Sequence, residues 1–116
     1  MPREFGRHVR IAEVIRRVAA PELDGVARTH ALGMVTVTGV EVSRDLTRAL
    51  ILVSVYGHGD APPNLAPLRS ALPALRSLIA RAIRIRKIPQ LAVALDESIG
   101  RGARIAELLT PPKTYG

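Results

Sequence analysis

Two neighbouring stretches of β-branched and aliphatic residues limit the folds open to this chain. Met34-Val35-Thr36-Val37-Thr38-Gly39-Val40-Glu41-Val42 alternates apolar and polar side chains, but Val35 and Val37 fall in one phase and Val40 and Val42 in the other. A one-residue bulge at Thr38-Gly39 returns all four valines to one face, and glycine inside a strand commonly marks such a bulge. Ser43-Arg44-Asp45 supplies turn-forming side chains. The next stretch, Ala49 to Tyr56, sets Leu50, Ile51, Leu52 and Val53 in succession, which predicts a strand buried on both faces. The two strands are expected to form a hairpin.

Helical spacing appears on either side of that hairpin. From Gly6 to Ala20, the residues Ile11, Val14, Ile15, Val18 and Ala19 mark one apolar stripe, and Pro21 is expected to stop the helix. Arg7, Arg10 and Arg17 form a row on its outer side. Residues 22–33 show no clean period and read as a connection. After a loop from Gly57 to Pro63, Asn64 is placed to cap a helix beginning at Leu65. Leu65, Leu68, Leu72, Leu75, Ile79 and Ala82 carry a second stripe towards Ile88. Pro73 lacks the N–H that would bond the Arg69 carbonyl, which predicts a kink dividing residues 65–72 from 73–87, with Pro89 ending the second piece.

Leu91 to Leu95 reads as a third strand, followed by a turn through Gly102, a short apolar stretch from Ile105 to Leu109 and a proline-marked tail from Thr110. A length of 116 residues suits one domain, here residues 1–109, with 110–116 as a tail. The order is helix-strand-strand-helix-kink-helix-strand. A helical return between the second and third strands implies an α+β fold in which helices cover one side of a three-stranded sheet.

Charge narrows the function. Seventeen Lys+Arg against ten Asp+Glu give +7, and only two of the seventeen are lysine, a balance that favours polyanions. No acid occurs between Ala61 and Leu95, whereas Arg69, Arg76, Arg81, Arg84, Arg86 and Lys87 all do. On a helix over 73–87, Arg76, Arg81, Arg84 and Lys87 would share an arc of roughly 140°, opposite an apolar face, with Arg86 outside it. These residues are the candidate phosphate contacts, with Arg7, Arg10 and Arg17 a second patch. Phe5, Tyr56 and Tyr115 are the only aromatics, too few for a base-stacking platform, so shape and phosphate contacts should dominate.

Catalysis finds little support. His8, His30 and His58 are scattered, Asp96 and Glu97 are adjacent and point differently on an extended chain, and neither a phosphate-binding loop nor a G-x-x-G tetrapeptide occurs. The chain has no cysteine, so disulfides and thiolate metal sites are excluded, and no metal or cofactor is expected. Met1 to Phe5 lacks a signal peptide's apolar run and Ala49–Val53 is too short for a bilayer, so a cytoplasmic protein without a membrane partner is expected.

Four segments resemble one family. Glu4-Phe5-Gly6-Arg7, the run Leu32-Gly33-Met34-Val35-Thr36-Val37-Thr38-Gly39-Val40-Glu41-Val42-Ser43-Arg44-Asp45-Leu46, Leu75-Arg76-Ser77-Leu78, and Ile83-Arg84-Ile85-Arg86-Lys87-Ile88-Pro89-Gln90-Leu91 leading to Asp96 are similar to the bacterial ribosome-binding factor A proteins. The resemblance implies a type II KH-like, RNA-binding domain and a non-enzymatic assembly factor. It further implies binding to 16S rRNA in the free or immature 30S subunit, support for late maturation and 5′-end processing, a link to cold adaptation, and assembly GTPases acting on the same particle. The protein is expected to be a monomer. The family's Ala-x-Gly kink corresponds to Ala71-Leu72-Pro73, where proline keeps the break without glycine's close backbone approach. The residues by themselves also accommodate a nucleic-acid-processing enzyme, or a general nucleic-acid-binding or protein-interaction module not tied to the ribosome.

Overall fold

The computed structural model describes residues 4–59 and 61–97. The apolar stretch Ile105–Leu109, the tail and most of the predicted turn after Asp96 lie outside the described residues, as do Met1, Tyr115 and Asp60. The elements are α1 (Glu4–Thr29), β1 (Met34–Val42), β2 (Arg48–Tyr56), α2 (Ala66–Ser70), α3 (Leu72–Ala82) and β3 (Gln90–Leu95). β2 is the central strand, antiparallel to β1 and parallel to β3.

The bulge lies where the valine phases require it. Val37 pairs with Val53 and Gly39 with Leu52, so the register shifts across Thr38. Val35, Val37 and Val42 are consequently buried and Val40 packs against the same core, together with Ala49, Ile51 and Val53 from β2. Leu50 and Leu52 occupy the other phase of β2 and are buried as well. The expectation of a strand buried on both faces is met.

Helix α1 corrects the reading of Pro21 as a stop and of residues 22–33 as a connection. The helix runs through the proline to Thr29. Ile11, Ile15, Ala19, Leu23 and Ala27 are all buried, so the stripe continues two turns beyond Pro21. Interior proline costs about 3 kcal/mol. Burying Leu23 and Ala27, with Val26 partly covered, returns roughly 3–5 kcal/mol. Pro21 and Arg17 are both exposed, which leaves the released Arg17 carbonyl in reach of water.

The helix ends in a closed cap. The Leu32 N–H donates to the Ala27 carbonyl at 2.9 Å and the Ala31 N–H to that of Arg28 at 3.4 Å, while Ala31 adopts a left-handed φ of 53°. This is the Schellman arrangement, with alanine where glycine is usual and Leu32 folded back onto the core. Two residues later Gly33 has φ +100°, and a β-carbon there would overlap the Tyr56 carbonyl oxygen.

The kink also differs in detail. Asn64 Oδ1 accepts from the Ala66 N–H at 3.1 Å, but α2 begins at Ala66 with Leu65 as its N-cap and no side-chain cap bond, so Asn64 closes the turn before the helix instead of capping it. The helices break at Ala71, which puts Pro73 in the first turn of α3, where its missing N–H costs no bond. The larger correction is the end of α3. It stops at Ala82, and Ile83 is already extended at φ −130°, ψ 150°. In 83–86 the isoleucines are half-buried and the arginines exposed, a two-residue period that extended backbone satisfies and a helix does not.

Two substitutions in the α1–β1 corner should move stability in opposite directions. Ala31→Gly is expected to stabilise by about 0.5–1 kcal/mol, raising Tm by several degrees, because the left-handed penalty disappears. Gly33→Ala should cost at least about 2 kcal/mol, through strain and through the encounter with Tyr56. Thermal melts followed by circular dichroism compare both with the parent chain.

Candidate nucleic-acid interface

The cationic residues divide according to the backbone that carries them. Arg81 sits in the last turn of α3, and Arg84, Arg86 and Lys87 extend from the 83–89 segment, all exposed. Ile83, Ile85 and Ile88 pack against the core and Pro89 is almost fully buried. Apolar anchors on one side thus hold the charges on the other. The common helical arc expected for Arg76, Arg81, Arg84 and Lys87 does not exist, because only the first two are helical.

Arg76 contributes in another way. Its Nε donates to the Pro89 carbonyl at 3.3 Å and one terminal nitrogen donates to that of Ile88 at 2.8 Å. Extended backbone has no internal ladder, so these carbonyls need a donor, and the guanidinium fork supplies two. Gln90 N–H then bonds the Thr47 carbonyl at 2.9 Å, which ties the same segment to the hairpin turn.

Two concave surfaces meet at Arg76. A cleft of about 430 Å³ lies between α3 and β3, with Leu72, Pro73 and Leu91 among its walls, so two of the three kink residues face it. A second, of about 680 Å³, brings together Arg7, Asp45, Arg76, Arg86 and Lys87. Arg7, far away in sequence, therefore joins the 83–89 cations, whereas Arg10 and Arg17 are exposed on α1 and line neither cleft. Among the described residues, no carboxylate lies within salt-bridge distance of Arg7, Arg10, Arg17, Arg81, Arg84, Arg86 or Lys87; Arg28–Asp24 forms a pair elsewhere, at 2.8 Å.

Sequence reasoning saw the hairpin turn only as a turn and missed its place in the cleft. Asp45 Oδ1 accepts from Ser43 Oγ at 2.8 Å, Thr47 Oγ1 at 2.7 Å and the Thr47 N–H at 3.1 Å. The Thr47 hydroxyl, then that of Ser43 and the Thr47 amide, hold the Asp45 carboxyl below its ordinary pKa. Leu46 follows with a left-handed φ of 64° and turns its side chain onto the core. The S-x-D-x-T spacing was the available signal. Among the described residues, no three His, Asp or Glu side chains gather in a metal-binding group, and no helix is long and apolar enough to cross a membrane.

Comparison with known proteins gives a consistent result. The model of the family described as ribosome-binding factor A matches residues 7–109. Ribosome-binding factor A of Pseudomonas paraeruginosa (strain DSM 24068 / PA7) is 37% identical over 112 residues, spanning 94% of this chain and 88% of its own. That of Chromohalobacter salexigens is 41% identical over 110 residues, spanning 92% and 84%. The crystal structure of ribosome-binding factor A from Thermus thermophilus shares the fold, with a TM-score of 0.59 at 22% identity, covering 76% of this chain and 94% of that one. A Thermus thermophilus homology model fitted into a cryo-EM map of a 30S complex gives 0.57 at 25%, covering 70% and 86%.

If Arg76 fixes the 83–89 segment, Arg76→Lys keeps the charge but loses the fork. Amide hydrogen exchange at Gln90, whose N–H bonds the Thr47 carbonyl, should then accelerate by about tenfold, with a stability loss of about 1 kcal/mol. Exchange at the parent rate would show that these two hydrogen bonds do not hold the segment.

Proposed function

The chain belongs to the ribosome-binding factor A family, and from that premise we propose that it binds the 30S subunit by gripping 16S rRNA in immature particles through its exposed cations. On this reading the protein supports late maturation and 5′-end processing by binding alone, and acts as a monomer beside assembly GTPases on the same particle. The observation that carries it is the 81–87 surface. Arg81, Arg84, Arg86 and Lys87 stand exposed on a segment anchored by isoleucines, without carboxylate partners among the described residues. Uncompensated, pre-positioned cations release counterions when they meet phosphate, and the segment's ordering has already occurred on folding. Arg7 adds to this surface through the larger cleft; Arg10 and Arg17 form a separate strip on α1, and the kink at Ala71, Leu72 and Pro73 borders the smaller cleft. The Thermus thermophilus protein seen in a 30S complex supports the choice of particle.

Co-sedimentation with precursor and mature small subunits across a salt series tests the proposal. Six phosphate contacts give a log-log salt slope of roughly −4 to −5, from about 0.7–0.9 per contact. Reversing charge at both Arg81 and Arg84 should weaken subunit binding at least about tenfold and flatten the slope by about 2, with the melt unchanged. Unaltered binding removes these two residues from the interface, and preference for large subunits overturns the proposal.

A further inference from the structure

Asp45 is the one carboxylate among the residues lining the larger cleft, where Arg7, Arg86 and Lys87 supply positive charge. Its Oδ1 is taken up by Ser43 and Thr47, but Oδ2 makes no hydrogen bond to another described residue. A fixed anion repels phosphate, so a ligand that offers only phosphates suits this wall poorly. A ligand presenting phosphate and, beside it, a hydroxyl donor is matched by both signs of charge. Leu46, Ile85 and Ile88, which pack against the core, supply the apolar part of the lining. Leu46 reaches it through its left-handed backbone, an arrangement that costs energy and occurs preferentially at functional positions.

Phosphate, a ring with an apolar face and a neighbouring hydroxyl occur together in a ribonucleotide. The volume, about 680 Å³, falls in the range of roughly 300–1,000 Å³ typical of small-ligand sites. Duplex RNA carries its phosphates on a convex surface and does not enter a concavity of that size. We infer that this cleft holds one unpaired ribonucleotide, its phosphate on Arg7, Arg86 and Lys87 and its 2′-hydroxyl donated to Oδ2 of Asp45. The inference rests on the RNA-binding reading above and adds to it a single-stranded unit and a means of telling RNA from DNA.

Fluorescence anisotropy of the full chain with labelled hexauridylate, its 2′-deoxy and 2′-O-methyl forms, and a blunt RNA duplex provides the test. Hexauridylate should bind on the order of tenfold tighter than either form lacking the 2′ donor, as expected for one hydrogen bond to a charged acceptor. Asp45→Asn keeps an oxygen for the turn and puts an amide N–H₂ where Oδ2 stood. An N–H₂ donates to a 2′-hydroxyl and to a 2′-methoxy oxygen alike, so this variant should bring hexauridylate and its 2′-O-methyl form within about twofold of each other, while Lys87→Gln weakens all three single strands equally. Circular dichroism melts establish that each variant is folded, and the 2′-O-methyl arm needs no variant. Equal binding of the three single strands, or duplex binding as tight as hexauridylate, overturns the nucleotide site. Small-subunit pelleting of the unaltered protein separates the two readings: if pelleting persists when discrimination is absent, only this site fails, and if pelleting is absent the subunit reading fails with it.

Discussion

Everything in this fold depends on β1 keeping a single apolar face across an out-of-phase sequence. Without the extra residue at Thr38-Gly39, Val40 and Val42 would turn away from α1 and Glu41 would turn towards it. With it, four valines meet the row formed by Ile11, Ile15, Ala19, Leu23 and Ala27. That row uses every fourth residue, so it winds slowly around the helix, as packing against a twisted sheet requires. The demand for a long row is also why Pro21 is tolerated.

The cationic surface is built on the same principle, using extended chain instead of helix. A helix over 83–87 would direct its charges in several directions. The observed segment uses β-branched isoleucines as pegs and leaves the arginines between them facing solvent. Its last two carbonyls are satisfied from outside by Arg76 and its end is fastened to the hairpin turn by Gln90. A basic side chain therefore gives structural support to other basic side chains, which separates presenting charge from merely possessing it.

Most of the architecture was legible because it follows from local periods: two strands and their bulge, the broken helical region, and the short third strand. The misreadings have specific causes. Pro21 was judged by local propensity, whereas Leu23 and Ala27 gain from tertiary burial that no local rule counts. Residues 83–88 carry apolar side chains that fit both a 3.6 and a 2 period, and β-branching at 83, 85 and 88 was the discriminating signal. The exposed cations could be named from composition and spacing. The sharing of one cleft by Arg7, Arg86 and the turn residue Asp45 depends on long-range geometry and left little trace in the chain's order.

The parallel pairing of β3 with β2 has a kinetic consequence. Hairpin and α1 are joined by short connections and can associate as soon as they exist, but β3 must close a crossover from Tyr56 to Gln90 before it gains any bond. Both fastenings of the 83–89 segment involve residues at the threshold of that strand. During synthesis β3 emerges after every element it pairs with, so the pairing that completes the sheet is also the one that locks the 83–89 segment into position. The charged segment thereby acquires its fixed geometry only in the final pairing event and not in the intermediates that precede it.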